Sequence, residues 1–241
     1  MALDSQSGRS FRQYLSVSRS RIRSLDWGQR WSYINRKLPD AIAEAVIASE
    51  IRCDARVLDF GCADQPYRAL FGNAAYLGAD LPGNEQAEVI IAPDGRLPLG
   101  DSSIDFVLSS QVLEHVERPE NYLSECWRVL RPGGRVVLST HGLMVYHRDP
   151  VDYWRWTGDG LKKVVGDAGF HVDSLDGVMG LAPTGIQLFQ DATLAGLPRV
   201  LWRPYCVLTQ SLISLFDRFH SPESKRLNAL VFIVCATKPG G

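Results

Sequence analysis

The chain has 241 residues, 45% hydrophobic and 22% charged, which suffices for one sizeable core and requires no second domain. A net charge of −1 and a pI near 6.5 exclude whole-surface attraction to nucleic acid or anionic lipid, so any such attraction has to be local. The five cysteines (Cys53, Cys62, Cys126, Cys206, Cys235) form no Cys-x-x-Cys pair, and no apolar run reaches the ~18 residues of a membrane span. A cytoplasmic protein with neither a disulfide framework nor a zinc site is expected.

The first 25 residues carry Arg9, Arg12, Arg19, Arg21 and Arg23 against one acid, Asp4, with Phe11, Leu15, Ile22 and Leu25 roughly on one face of a helix. Either a surface arm or a contact to an anionic substrate or membrane fits that pattern. Asp40 is expected to cap a helix running to about Ile51, with Ile42, Val46 and Ile47 inward. Residues 1–52 would thus be an N-terminal arm and helix, and 53–241 one domain.

From Arg56 onward short apolar runs alternate with amphipathic helices, which predicts the α/β class: a doubly wound, mostly parallel sheet with helices on both faces. Seven strands are expected, over 56–60, 75–80, 87–91, 104–109, 135–140, 170–175 and 230–235. In a helix over 119–130, Tyr122, Leu123, Cys126, Val129 and Leu130 recur at helical spacing while Glu120, Glu125 and Arg128 fall elsewhere. Arg131-Pro132-Gly133-Gly134 then stops it and turns into the next strand. Residues 180–225 break the rhythm with a helical insertion, in which Leu208, Leu212, Leu215, Phe216 and Phe219 share a face. That face is expected to pack on the sheet; a lid, a dimer contact or a surface for a lipid-carried substrate are the alternatives.

In an open parallel sheet the ligand crevice lies beyond the carboxyl ends of the strands. The first strand ends at Asp59 and opens into Gly61-Cys62-Ala63-Asp64-Gln65-Pro66, where small residues let a ligand approach the backbone. Asp80 closes the second strand and can accept both hydroxyls of a ribose. Four motifs follow one another: Val57-Leu58-Asp59-Phe60-Gly61-Cys62; Leu97-Pro98 with Ser103-Ile104-Asp105-Phe106-Val107; Leu113-Glu114-His115-Val116; and Arg128 to Gly134. With these, the stretch 56–169 resembles the class I S-adenosylmethionine-dependent methyltransferases of the type 11-like group. The resemblance implies S-adenosyl-L-methionine as cofactor, with Asp59, Gly61 and Ala63 about its methionine half, Asp80 at the ribose, Asp94 and Gly95 at the adenine, and Ser110 and Gln111 on the far side. Two of the three glycines usual in the loop are missing, and Gln65-Pro66-Tyr67 is similar to a variant within the family, with Pro66 expected in a first helical turn. The missing glycines also weaken a nicotinamide reading and leave open a cofactor-binding regulator without catalysis.

Methyl transfer is an in-line displacement, and an alcohol acceptor must lose its proton to a base. His147 and His115 are the candidates, both following carboxyl ends of strands. The segment from His147 to Thr157 is similar to an element of methyltransferases associated with bacterial glycan and glycolipid pathways. Asp149, Asp152, Tyr153, Trp154 and Arg155 would then bind a sugar hydroxyl acceptor, with a small natural product or quinone as the alternative. Equally, the tryptophans can pack a helix capped by Thr157, with Arg155 paired to an acid. His147, Asp149 and Asp152 offer metal ligands, but no diagnostic spacing supports a metal, and none is expected. Expected partners are a small-molecule or glycan acceptor and no nucleic acid, with a lipid-linked substrate, membrane contact or homodimer left open.

Overall fold

The computed structural model describes residues 26–240. The arginine-rich segment 1–25 therefore lies outside the described residues. Seven strands form one sheet in the order β3-β2-β1-β4-β5-β7-β6. They are β1 Arg56–Phe60, β2 Ala75–Asp80, β3 Val89–Ile90, β4 Ile104–Ser110, β5 Leu130–His141, β6 His171–Gly180 and β7 Ala229–Thr237. β7 runs antiparallel to both neighbours and the other pairings are parallel, so the expected mostly parallel sheet is present. β5 begins earlier than its sequence suggests, because Leu130 already pairs with Ile104 before residues 131–134 bulge out of the ladder.

Strands buried on both faces read as continuous apolar runs, and Val57-Leu58 with Phe106-Val107-Leu108 are nearly inaccessible. Alternate side chains feed two cores. Leu58, Phe60 and Val107 pack beneath α2 (Pro119–Val129) and α3 (Gly158–Asp167). Val57, Phe106 and Leu108 pack beneath α1 (Ser32–Ala48). α2 starts with Pro119 in its first turn, where no intrahelical N–H is lost, and its Tyr122 ring stacks on Phe60 at 4.3 Å. Glu125 does not fall on the solvent side as the periodicity suggests. It is buried, accepting from the Leu97 amide at 2.7 Å and from Arg128 at 2.6 and 2.8 Å.

α1 departs from expectation. It begins at Ser32, so Asp40 stands in mid-helix rather than at a cap, and Pro39 lies inside. An interior proline costs about 3 kcal/mol, so the first two turns persist through tertiary contacts. Tyr33 and Ile34 are buried, and the Tyr33 amide, an orphan donor of the first turn, is taken by Gln210 Oε1 at 2.8 Å.

The insertion holds α4 (Leu181–Thr193), α5 (Arg199–Asp217) and α6 (Pro222–Leu227). Here the expected packing is reversed. Leu208, Leu212, Leu215, Phe216 and Phe219 are all exposed, Phe219 to 76%. α5 instead buries Cys206, Thr209, Gln210, Ile213 and Asp217 against α4 and α1. The amide of Gln210 donates to Gln187 and Gln190 at 2.9 and 2.8 Å, and Gln190 donates to Thr209. A chain of mutually satisfied buried amides outweighs apolar contact on that side.

β5 is followed by Gly142, where an added Cβ would meet the Ala229 carbonyl oxygen at 2.4 Å. Overpacking against backbone cannot relax by a rotamer change. Gly142→Ala should therefore destabilise the chain by about 1–3 kcal/mol, read as a lower urea midpoint with unchanged slope.

Candidate active site

β1 and β4 are adjacent, with β2 on the far side of one and β5 on the far side of the other, so the strand order reverses between them. A crevice forms at that switch point. Into it project the loop after β1 and residues Ser110-Gln111 after β4. The Gly61 and Cys62 amides donate to the Ala79 carbonyl at 2.8 and 3.1 Å, tying the loop to the end of β2. Gly61 has φ +87°, and a Cβ there would lie 2.4 Å from Val112 Cγ2, so both the backbone and the space demand glycine.

The two missing glycines leave their conformations behind. Ala63 and Gln65 sit at φ +45° and +53°, in the left-handed region where an L side chain costs roughly 1–2 kcal/mol. Hydrogen bonds hold them there. Asp80 Oδ2 accepts from the Ala63 amide at 2.9 Å, and Asn84 donates to both Ala63 O (2.8 Å) and Asp80 Oδ2 (2.7 Å). The Gln65 side chain donates to Gln86 O at 2.5 Å and accepts from Arg68 at 2.6 Å. Pro66 does not open an α-helix: a single 3-10 turn, Arg68–Phe71, follows, and β2 begins at Ala75.

One cavity of about 1570 Å³ takes in this end of the sheet. It exceeds the roughly 300–1,000 Å³ of a pocket for one small molecule, so two ligands fit side by side. Gly61, Ala63, Asp80, Asp94, Gly95, Ser110 and Gln111 all line it. Asp94 accepts from the Arg96 amide at 3.1 Å in a tight turn, with Gly95 at φ +85°. Asp59 stands behind the wall, 1% exposed, with Tyr76 donating to its Oδ2 at 2.5 Å. The residues fit a nucleoside cofactor: a carboxylate at the end of β2, a second acid across the cavity, and a cradle at Gly61 that a side chain would fill.

On the opposite wall three imidazoles meet. His115, His141 and His147 have ring centroids 5.8 to 6.2 Å apart, and all three line the cavity. Beneath them Glu114 is fully buried, accepting from Thr140 Oγ1 at 2.8 Å. Its other oxygen, Oε1, accepts no hydrogen bond yet lies 3.1 Å from His141 Nε2 and 4.0 Å from His115 Nε2. Burial holds the Glu114 carboxyl well above the usual carboxylate range, and burial with the nearby Arg155 charge holds His141 neutral. His115 Nδ1 is 2.5 Å from the Val151 carbonyl, so it carries the proton and leaves Nε2 with its lone pair. Nothing in the sequence motif marks Glu114 as the carboxylate below the cluster; only folding brings His141 and His147 to it.

The segment after His147 divides. His147, Asp149 and Pro150 reach the cavity, together with Met144 and Tyr146. Asp152, Tyr153, Trp154 and Arg155 do not. Arg155 makes paired bonds to both Asp152 oxygens (2.6 and 2.5 Å) and donates to the Met144 and Val145 carbonyls. Trp154 donates to Val116 O at 2.8 Å and stacks on Trp156, and Thr157 caps α3 by accepting from the Gly160 amide. Their common effect is to brace the loop over Glu114, whose carbonyl accepts from the Tyr153 and Trp154 amides. Among the described residues no three His, Cys, Asp or Glu side chains form a group able to hold a metal ion. Sequence reasoning missed the contribution of α1 and the turn before it: Arg30, Trp31, Ile34, Asn35 and Leu38 also line the cavity.

Residues 58–138 match the family model described as a methyltransferase domain. An uncharacterized methyltransferase of Mycobacterium avium is 35% identical over 170 residues, covering 59% of this chain and 65% of that protein. A malonyl-[acyl-carrier protein] O-methyltransferase of Methylococcus capsulatus is 38% identical over 71 residues, covering 30% of this chain and 26% of that protein. The chain thus spans less than two thirds of the length of these curated relatives. Among solved structures, the [4+2]-cyclase SpnF is similar with a TM-score of 0.57 at 17% identity, covering 95% of this chain and 93% of that one. A Haemonchus contortus phosphoethanolamine N-methyltransferase in complex with S-adenosyl-L-methionine gives 0.53 at 16%, covering 83% and 52%. At such identities the likeness shows the fold alone.

Burial raises the Asp59 carboxyl to about 7, against the Tyr76 hydrogen bond that favours its charge. A raised folded pKa contributes stability that is complete below the unfolded value of 3.8 and lost as pH climbs through 7. Asp59→Asn keeps an acceptor for Tyr76 and has no charge to bury. Its thermal midpoint relative to the parent should rise between about pH 4 and 7 and level off above, and a constant difference would refute the assignment.

Proposed function

We propose that the class I S-adenosylmethionine-dependent methyltransferase domain carried by this chain methylates a hydroxyl of a small, largely apolar molecule, with His115 as the base. The observation that carries this reading is the histidine cluster over buried Glu114, facing the cofactor loop across one cavity. Bound S-adenosylmethionine supplies an electrophilic methyl on a sulfonium. The chain's own residues then have three tasks.

The first is to hold the cofactor. Asp80 and Asp94 accept hydrogen bonds from its hydroxyls and amine, and Gly61 lets it lie on bare backbone. The second is to orient the acceptor. Trp31, Ile34, Leu38, Met144 and Tyr146 offer apolar surface, with Arg30, Asn35 and Asp149 as polar points among them. The third is to take the proton. His115 Nε2 accepts it from the hydroxyl, and Glu114 Oε1, 4.0 Å away, is the acceptor that faces the imidazolium that results.

A sugar hydroxyl as acceptor is the narrower reading. It has less support, because four of the five side chains suited to a sugar are spent on bracing the loop or lie off the cavity. A hydroquinone, phenol or similar natural product suits the apolar wall better.

Two measurements test the proposal. Asp80→Asn should weaken S-adenosylmethionine binding by about 10–100-fold in calorimetric titration, since a hydrogen bond to a charged group is worth roughly 1.5–3 kcal/mol. His115→Asn should leave that binding unchanged and lower turnover by about 10²–10⁴-fold on a panel of phenolic, hydroquinone and sugar acceptors. Unchanged binding in the first variant, or unchanged turnover in the second, would remove the corresponding residue from the site.

A further inference from the structure

The α4–α5 hairpin is built with its polar side inward. Thr184, Gln187, Gln190, Thr209 and Gln210 are at most 5% exposed, while Phe189 (63%), Val200 (81%), Leu208 (59%) and Phe219 (76%) face outward. On a helical wheel of α5, Val200, Leu208 and Leu215 lie within about a third of a turn of one another, and Phe219 stands exposed in the turn just beyond the helix. A water-facing hairpin has the opposite arrangement.

The outward charges that residues 181–217 themselves carry have one sign. Residues 181–217 contain only two acids, Asp191 and Asp217, and both side chains are turned inward at 7% exposure. Asp217 is consumed by Tyr33, Lys225 and the Gly180 amide at 2.7 to 2.9 Å. Arg199 and Arg203 stand exposed at the start of α5, with the solvent-facing Trp202 between them, and Arg218 stands exposed at its end. Of these, Arg203 is paired with Asp26 at 3.5 Å.

We infer that this face of α5 and α4 docks on an anionic phospholipid bilayer. Apolar side chains flanked by arginines and an aromatic suit a helix lying in the plane of the lipid headgroups, where each basic residue near the surface adds attraction. No helix among the described residues is long and apolar enough to cross a membrane, so the helix lies on the bilayer rather than spanning it. A second copy is a poorer occupant. A two-fold interface through this face would bring Arg199 and Arg218 to it with no acid of residues 181–217 turned outward to pair them, while Asp26 is already paired to Arg203. α1 links this face to the cavity, since Trp31 and Ile34 line the cavity while Tyr33 between them is bonded to Gln210 and Asp217 of α5. Docking would therefore set the cavity close to molecules dissolved in the bilayer.

The full chain should cosediment with vesicles of phosphatidylcholine containing phosphatidylglycerol, less with phosphatidylcholine alone, and less again as salt is raised. Leu208→Glu combined with Phe219→Glu should lower the bound fraction about tenfold or more with an unchanged thermal midpoint. Arg203→Gln with Arg218→Gln should remove the preference for phosphatidylglycerol. Three results would overturn the inference. The parent chain ignores both kinds of vesicle; the glutamate pair binds as well as the parent; or light scattering finds a dimer that the glutamate pair splits, which assigns the face to a second copy.

Discussion

Gly61 is the point on which the site turns. Its amide and that of Cys62 share the Ala79 carbonyl, its φ lies at +87°, and Val112 fills the space where a side chain would go. This fixes the end of β1 against the end of β2 and brings Val112, at the foot of the histidine cluster, against the cofactor loop. Glycine at this position is what lets the end of β1 and Val112 meet. The two left-handed residues that follow are strained, and Asp80, Asn84 and Glu88 supply the hydrogen bonds that hold them. Asp80 thus has two tasks, to brace the loop and to face the ligand, and a change there affects both.

Burial of charge organises the other half of the site. Asp59 and Glu114 each lie within the protein with carboxyl groups raised by desolvation, one behind the cofactor loop and one beneath the imidazoles. Asp59 has a tyrosine hydroxyl as partner and a structural part. Glu114 has an oxygen left without a donor, aimed at two histidines. An unpartnered buried acceptor is costly unless something arrives to use it, and the imidazolium of the proposed proton transfer is such a group.

The insertion follows a different rule from the sheet. Beneath the strands, apolar burial decides the packing, whereas between α1, α4 and α5 a set of amides and hydroxyls satisfies itself and leaves the leucines and phenylalanines outside. The same network lends α1 a cap for its first turn, which is why that helix survives Pro39. Through this helix the cavity wall is joined to the insertion and its outer face.

Local chemistry made much of this legible in the chain itself. The seven apolar runs, the small residues after Asp59 and the acid at the end of β2 each express a constraint that neighbours in sequence impose, and each marks its element, although strand ends differ by some residues and the Pro-Gly-Gly stretch is a bulge within β5. Thr157 as a cap and Arg155 as partner to an acid were equally readable, since both act within a few residues. Contacts over long separations were not. Helical periodicity identifies a face of Leu208, Leu215 and Phe219 without saying whether sheet or solvent lies against it, and that depended on Gln187, Gln190 and Gln210 finding one another across two helices. The start of α1 depended on Gln210, 177 residues away from Tyr33. Likewise, His115, His141 and His147 are ordinary residues along the chain, and only the reversal of strand order between β1 and β4 gathers them over Glu114, because the crevice exists at that point of the sheet and at no single stretch of sequence.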